Sequence, residues 1–275
     1  NGNTSVFPFQ ISDPTQIYSF AIPWLGYELD GWNKHGVLAT DPNDAVNQAG
    51  RIARQHFRIE SNDDVTVYAL NQATRTSDAF LVLPVNALGT EYLALCYPSD
   101  GFTKFSNIEL DPISTPSEFS VTATEDNTQI IINPSDSTVR RGKSLDTVIL
   151  QRGESYLVQA KISIFNLRPD LTGSKISSDK PVAVFAGHQR ALLPVEIRNT
   201  ISSRDHLVEQ MPPLSAWGKS AILTPYPQPG GVTIFGNDIY RVLAAFDSTV
   251  VTIGGIKKKT LSAGEFFTDT LIVAA

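Results

Sequence analysis

The 275-residue sequence has one cysteine, Cys96, one methionine and four histidines. A single thiol closes no disulfide within the chain, and it leaves the redox compartment open, because a large all-β extracellular domain does not require cross-links. No apolar run reaches the roughly 18 residues of a spanning helix. The start, NGNTSVFPFQ, lacks the charged, apolar and small-residue regions of a signal peptide. Basic charge is scarce as well. A net charge of -6 and a pI of about 5.2 repel phosphate backbones and anionic lipid surfaces, which argues against nucleic acid as a partner. The one basic run, Lys257 to Lys259, lies between two strand-like segments and reads as a solvated hairpin tip.

Hydrophobic residues at 41% and charged residues at 18% describe a folded soluble chain. Its organisation is repetitive. SSDKPVAVF (Ser177 to Phe185) aligns with SNDDVTVYAL, TEDNTQIII and AFDSTVVTI, and each copy places an aspartate (Asp64, Asp126, Asp179, Asp247) two positions before Thr or Pro and a β-branched run. The interval is about sixty residues, the scale of a repeated supersecondary unit. Each copy is expected to be a β-hairpin, because period-2 alternation precedes a short polar turn and a β-branched strand follows it. Aspartate suits the turn, since its carboxylate accepts hydrogen bonds from nearby backbone amides.

A second element recurs around Gly89, Gly153, Gly218 and Gly264 as a strand, a glycine turn and another strand. The first and third copies (LPVNALGTEYLALCYP, PPLSAWGKSAILTPYP) resemble each other most, and the second and fourth share Leu-X-X-Gly-Glu. That alternation points to a duplicated pair with a long period of about 120 residues. The expected fold class is all-β, a repeat-built array of short antiparallel strands arranged like a β-propeller, with two tandem duplicated β-sandwiches as the alternative. Residues 1–56, loop-rich with one short helical stretch in DAVNQAGRIARQ, read as a cap or partial unit, and residues 57–275 as a four-unit domain. The C-terminus, FFTDTLIVAA, stops on strand-like residues without a turn, so the protein is expected to continue and the last strand to have a partner elsewhere.

Chemistry-bearing constellations are few. The four turn aspartates are structural in this reading; clustered on one rim they could bind calcium, although no loop has the D-x-D-x-D-G spacing that wraps an ion locally. Ser202, Ser203, Asp205 and His206 supply the residue types of a hydrolytic triad, but triad members usually come from separate elements, and no G-x-S-x-G elbow is present. His188 and His206 lie close in sequence with only Glu196, Asp205 and Glu209 to complete a zinc shell. An imidazole bonded at a strand end is the plainer reading. Cys96, inside YLALCYP, reads as a buried inert thiol. Trp217 falls where the first unit has Leu88 and reads as core, which leaves Trp32, in the loop YELDGWNKHG, as the surface aromatic. Trp32, His188 and His206 are the candidate binding-surface residues, with no catalytic, cofactor or metal residues assigned.

The succession GSKISSDKPVAVFAGHQ, DHLVEQMPPLSAWGK and YRVLAAFDSTVVTIGG resembles the IgGFc-binding protein N-terminal domain family, most densely over residues 171–253. The resemblance implies a secreted or surface-exposed, non-enzymatic module that binds an extracellular protein or a glycan. Animal members of the family place cysteines after the apolar strand and before the DHLVEQ-like string. Here those places hold His188 to Arg190 and Arg204, a departure that implies a divergent or bacterial member and weakens any transfer of immunoglobulin binding. The leading functional expectation is therefore an adhesion or binding module at the cell surface. A self-assembling subunit of a surface layer, fibre or sheath is the alternative, in which the partner is a further copy of the chain. A hydrolase built on Ser202 to His206 is the last.

Overall fold

The computed structural model describes residues 6–13, 15–22, 50–73, 76–104, 108–111, 114–193, 204–224 and 238–271. The described chain is all-β. Its strands are β1 (Ile52–Ala53), β2 (Val67–Ala73), β3 (Thr76–Val82), β4 (Gly89–Leu93), β5 (Ser117–Ala123), β6 (Thr128–Asn133), β7 (Asp146–Leu150), β8 (Ser155–Gln159), β9 (Lys175–Ala191), β10 (Asp205–Gln210), β11 (Asp238–Leu243), β12 (Thr249–Ile253), β13 (Ile256–Leu261) and β14 (Phe266–Leu271). Every pairing is antiparallel. Two single 3₁₀ turns, Val85–Ala87 and Leu214–Ala216, are the helical elements among the described residues. Of the expected helical stretch DAVNQAGRIARQ, only residues 50–55 are described, and they carry β1.

Alternation decides which side chains enter the core. In β6, Thr128, Ile130 and Ile132 are buried while Gln129, Ile131 and Asn133 face out; β7 does the same with Asp146, Val148 and Leu150 inside. Ile130, Ile132, Val148 and Leu150 meet Phe119, Val121, Tyr156, Ile176, Val182 and Val184 in one cluster.

The centre of the fold is β9, a strand of 17 residues. Along one edge it pairs first with β6 and then with β5; along the other, first with β4 and then with β10. Asp179 to Pro181 fall where the partners change over, since the β6 ladder reaches Ser178 and the β5 ladder starts at Val182. Proline has no N–H to donate, and here no ladder asks for one. Beyond these strands the order continues to β8 and β1 on one side and to β7 on the other. Thr138 bridges Ala160, and the Val139 N–H donates to the Gln159 carbonyl at 3.0 Å. This contact brings the β7 side of the sheet round to β8, so the sheet is nearly closed and barrel-like.

The propeller-like expectation is therefore not what the described strands form. A propeller would give each unit its own small sheet, whereas strands from the first three sequence units share one eight-stranded sheet organised on β9. The β2–β3 hairpin leans on β10 and β9 through side chains: the Asp78 carboxylate accepts from the Val208 N–H on β10 at 2.8 Å, and Phe80 meets Phe185 on β9 edge-on. β11 pairs with β14 and β12 with β13 around Ala244, Val251 and Leu261.

Candidate binding site

The repeated aspartates occupy three kinds of position. Asp126 and Asp247 stand in matching turns: their Oδ1 atoms accept from the Arg152 and Ala263 N–H groups, both at 2.9 Å. The next residues, Asn127 and Ser248, take left-handed backbone angles, φ 55° and 59°. Asp179 lies within β9 and not in a turn; its Oδ1 accepts from the Gln129 N–H at 2.8 Å, on the neighbouring strand β6. Asp64 lies in the irregular segment before β2. The four are spread over separate elements, and among the described residues no group of three or more His, Cys, Asp and Glu stands together as an ion site.

His188 is buried in β9, its Nδ1 accepting from the Arg190 N–H at 2.9 Å and its ring set edge-on to Tyr97. Burial pushes its pKa down to about 3; nearby Arg204 adds to the fall and the Pro98 carbonyl opposes it, so the ring is neutral at physiological pH. His206 is on β10, but Leu207 is the residue opposite His188, and the two imidazoles do not form one site. His206 Nδ1 is 3.6 Å from Asp205 Oδ1. Ser202, Ser203 and Trp32 lie outside the described residues. Trp217 is half-exposed, its indole N–H donating to the Pro212 carbonyl at 3.1 Å, which corrects its reading as core. The Cys96 thiol is buried and donates to the Glu118 carbonyl, and burial drives its pKa up, so it is no nucleophile. Arg204, at one of the two places where the family has cysteine, pairs through Nε with the buried Asp100 carboxylate at 2.7 Å.

An open cleft that no motif announced lies between the β4–β9 edge and the turns of β11–β14, with a volume of about 970 Å³. Its wall carries the Lys175–Glu91 ion pair at 3.0 Å, and the Ser177 hydroxyl donates to Glu91 at 3.1 Å. On the rim Phe246 is 75% exposed. Gly173 and Gly264 narrow the base, where a Cβ on Gly173 would stand 2.1 Å from the Gly264 carbonyl oxygen. Apolar surface with a few fixed polar groups is how a recognition cleft is usually lined.

The model of the family described as IgGFc binding protein matches residues 78–274, well over half of the chain. The chain belongs to the IgGFc-binding protein family. A curated relative, the human IgGFc-binding protein, is 31% identical over 171 residues, which is 61% of this chain and 3% of the relative, so the chain spans a small fraction of that protein's length. No solved structure matches. The matched span covers the resemblance read over residues 171–253 and extends it in both directions.

Proposed function

We propose that this chain of the IgGFc-binding family is a non-catalytic, extracellular binding module that presents the cleft beside Glu91, Lys175 and Phe246 to a protein or glycan partner. Family membership carries the reading, and the cleft gives it a place. The human relative's name states that it binds IgG Fc; for this chain the partner class is an extracellular protein or glycan, met at the cell surface or after secretion. The acidic surface favours partners that are neutral or basic.

The test is binding of the purified chain to arrays of glycans, mucins and immunoglobulin Fc, with Phe246→Ala and Lys175→Ala as variants. The reading expects a ligand whose capture weakens at least about tenfold in Phe246→Ala, the order of loss when a well-packed aromatic anchor is truncated. Turnover of a generic ester, glycoside or peptide that is lost in His206→Ala would overturn it.

A second reading, a self-assembling structural subunit, has its own observation. β2 and β11 each carry a ladder on one edge only among the described residues. Bare strand edges are templates for another chain.

A further inference from the structure

β5 pairs with β8 and β6 with β7, but β5 and β6 do not pair with each other; β9 alone joins them. Among the described residues, β11–β14 have the same bonding without such a strand. Val242 opposes Phe267 as Val121 opposes Tyr156, and Thr249 opposes Leu261 as Thr128 opposes Leu150. The Gly264 N–H reaches the Ala244 carbonyl as the Gly153 N–H reaches Ala123, both at 2.8 Å.

Three differences between the two quartets all point to one strand position that no described residue fills. First, β11–β14 and β12–β13 remain two separate sheets among the described residues. Second, Val121 and Ile132 are fully buried, while Val242 and Ile253 at the matching places are only partly covered. Third, the segment that should follow β4's example has not become a strand. The turns Val85–Ala87 and Leu214–Ala216 have nearly identical geometry, with Pro84 and Pro213 ahead of them at φ -65° and -64°. After the first turn β4 pairs with β9, and Leu93 is 5% exposed; after the second, residues 219–224 form no strand and Ile222 is 93% exposed.

The strand type that fits is present in this chain. SNDDVTVYAL, leading into β2, matches ISSDKPVAVF of β9, with Asp64 at the place of Asp179 and Thr66 at that of Pro181. β2 turns into β3 as β9 is followed by β10, and β3 runs into the first 3₁₀ turn as β10 runs into the second. β9 bonds β10 on one edge and β5 on the other; β2 bonds β3, and its second edge carries no ladder among the described residues. Tyr68 and Leu70 stand strongly exposed on this hairpin.

We propose that Ser61–Ala73 of a second copy of this chain enters the position beside β11 and β12, completing that quartet as β9 completes β5–β8. The inference rests on the self-assembly reading and gives it a joint. The β5–β9 register, Val121 opposite Val184 and Ala123 opposite Val182, carries over as Val242 opposite Ala69 and Ala244 opposite Val67 of the partner. Strand addition of this kind takes its affinity from the main-chain ladder and its register from alternate side chains. Because donor and acceptor are different parts of one chain, the contact is head to tail and propagates as a filament where it does not close into a ring.

The experiment uses the 275-residue chain. Light scattering across concentration is expected to show mass rising beyond the monomer. Oxidised Ala69→Cys/Val242→Cys protein is expected to give a ladder of covalent multimers on a non-reducing gel, absent from either single variant, all of which keep the buried Cys96. A third form, extended at its C-terminus by a second copy of residues 160–191, carries its own strand and is expected to stay monomeric. A strictly monomeric wild type overturns both the joint and the self-assembly reading, whether or not the cysteine variant folds. Multimers that do not cross-link, or that persist in the extended form, overturn the joint alone.

Discussion

Arg241 on β11 holds the Asp170 carboxylate at 2.9 Å, and both side chains are largely buried. The same Nη1 donates to the Cys96 carbonyl at 2.8 Å and to the Thr172 hydroxyl at 2.9 Å, while the guanidinium lies between the rings of Tyr97 and Phe266. One side chain thus ties β11–β14 to the main sheet. Arg241→Ala leaves a buried carboxylate with its cation removed and is expected to cost about 3 kcal/mol, read as a lower urea midpoint. Arg241→Lys keeps the charge but not the flat, forked geometry and should recover only part. Equal stability of all three proteins would show that the quartet is not held here.

Gly187 is the tightest approach of β9 to β10: a Cβ there would stand 1.8 Å from the Leu207 carbonyl oxygen. That neighbour is backbone and cannot step aside without breaking the ladder. Gly187→Ala is expected to lower the melting temperature by at least about 6–12 °C, or to prevent folding, since a cost above about 3 kcal/mol is large for any domain. Gly142 is the control. It has left-handed φ of 60° but open space around it, so Gly142→Ala should cost only about 1 kcal/mol. Matching melting curves for the two variants would refute the β9–β10 register.

Much of this was legible in the residues, and what was missed has a physical cause. Alternation in TQIII and the Asp-X-Thr turns marked β6 and β12 because both signals are local. The same letters misled at Asp179. It resembles a turn former, yet its carboxylate serves the Gln129 N–H across the sheet, and Pro181 sits where β9 changes partners. Whether a polar stretch turns or continues as strand depends on neighbours far along the chain, and single-sequence patterns do not carry them. The sharing of β9 between units, and the cleft beside Phe246, escaped the reading for the same reason.

His188 should leave a signature on the acid side. Its folded pKa of about 3 lies below the ordinary imidazole value, so in the interval between them the unfolded chain takes up a proton that the folded chain refuses. Its contribution is complete above about pH 6.5 and drains away as pH falls toward 3. His188→Phe removes this titration and keeps a ring against Tyr97. Unfolding free energies across that window are expected to fall less steeply in the variant, by up to about 1.4 kcal/mol per pH unit. Parallel profiles would mean the imidazole is not kept neutral by burial.

Tyr156 makes the matching prediction on the alkaline side. Its hydroxyl donates to the Asp146 carboxylate and accepts from Arg140 Nη1 at 2.6 Å, in the place where the β7 side of the sheet comes round to β8. Burial first, and then the hydrogen bond to Asp146, push its pKa up to about 12. A raised pKa means the folded state holds the proton longer than the unfolded chain, so the stabilisation is whole below about pH 10 and is lost as pH climbs through the folded value. Ultraviolet titration of the tyrosinate band should show a component, absent from Tyr156→Phe, that ionises only as the protein unfolds. The variant also leaves the largely buried Asp146 without its hydroxyl donor while Arg141 Nε remains at 3.4 Å, so a loss of about 1–2 kcal/mol at neutral pH is expected. A Tyr156→Phe protein as stable as wild type, with an unchanged alkaline titration, would mean that this contact does not hold the barrel closed.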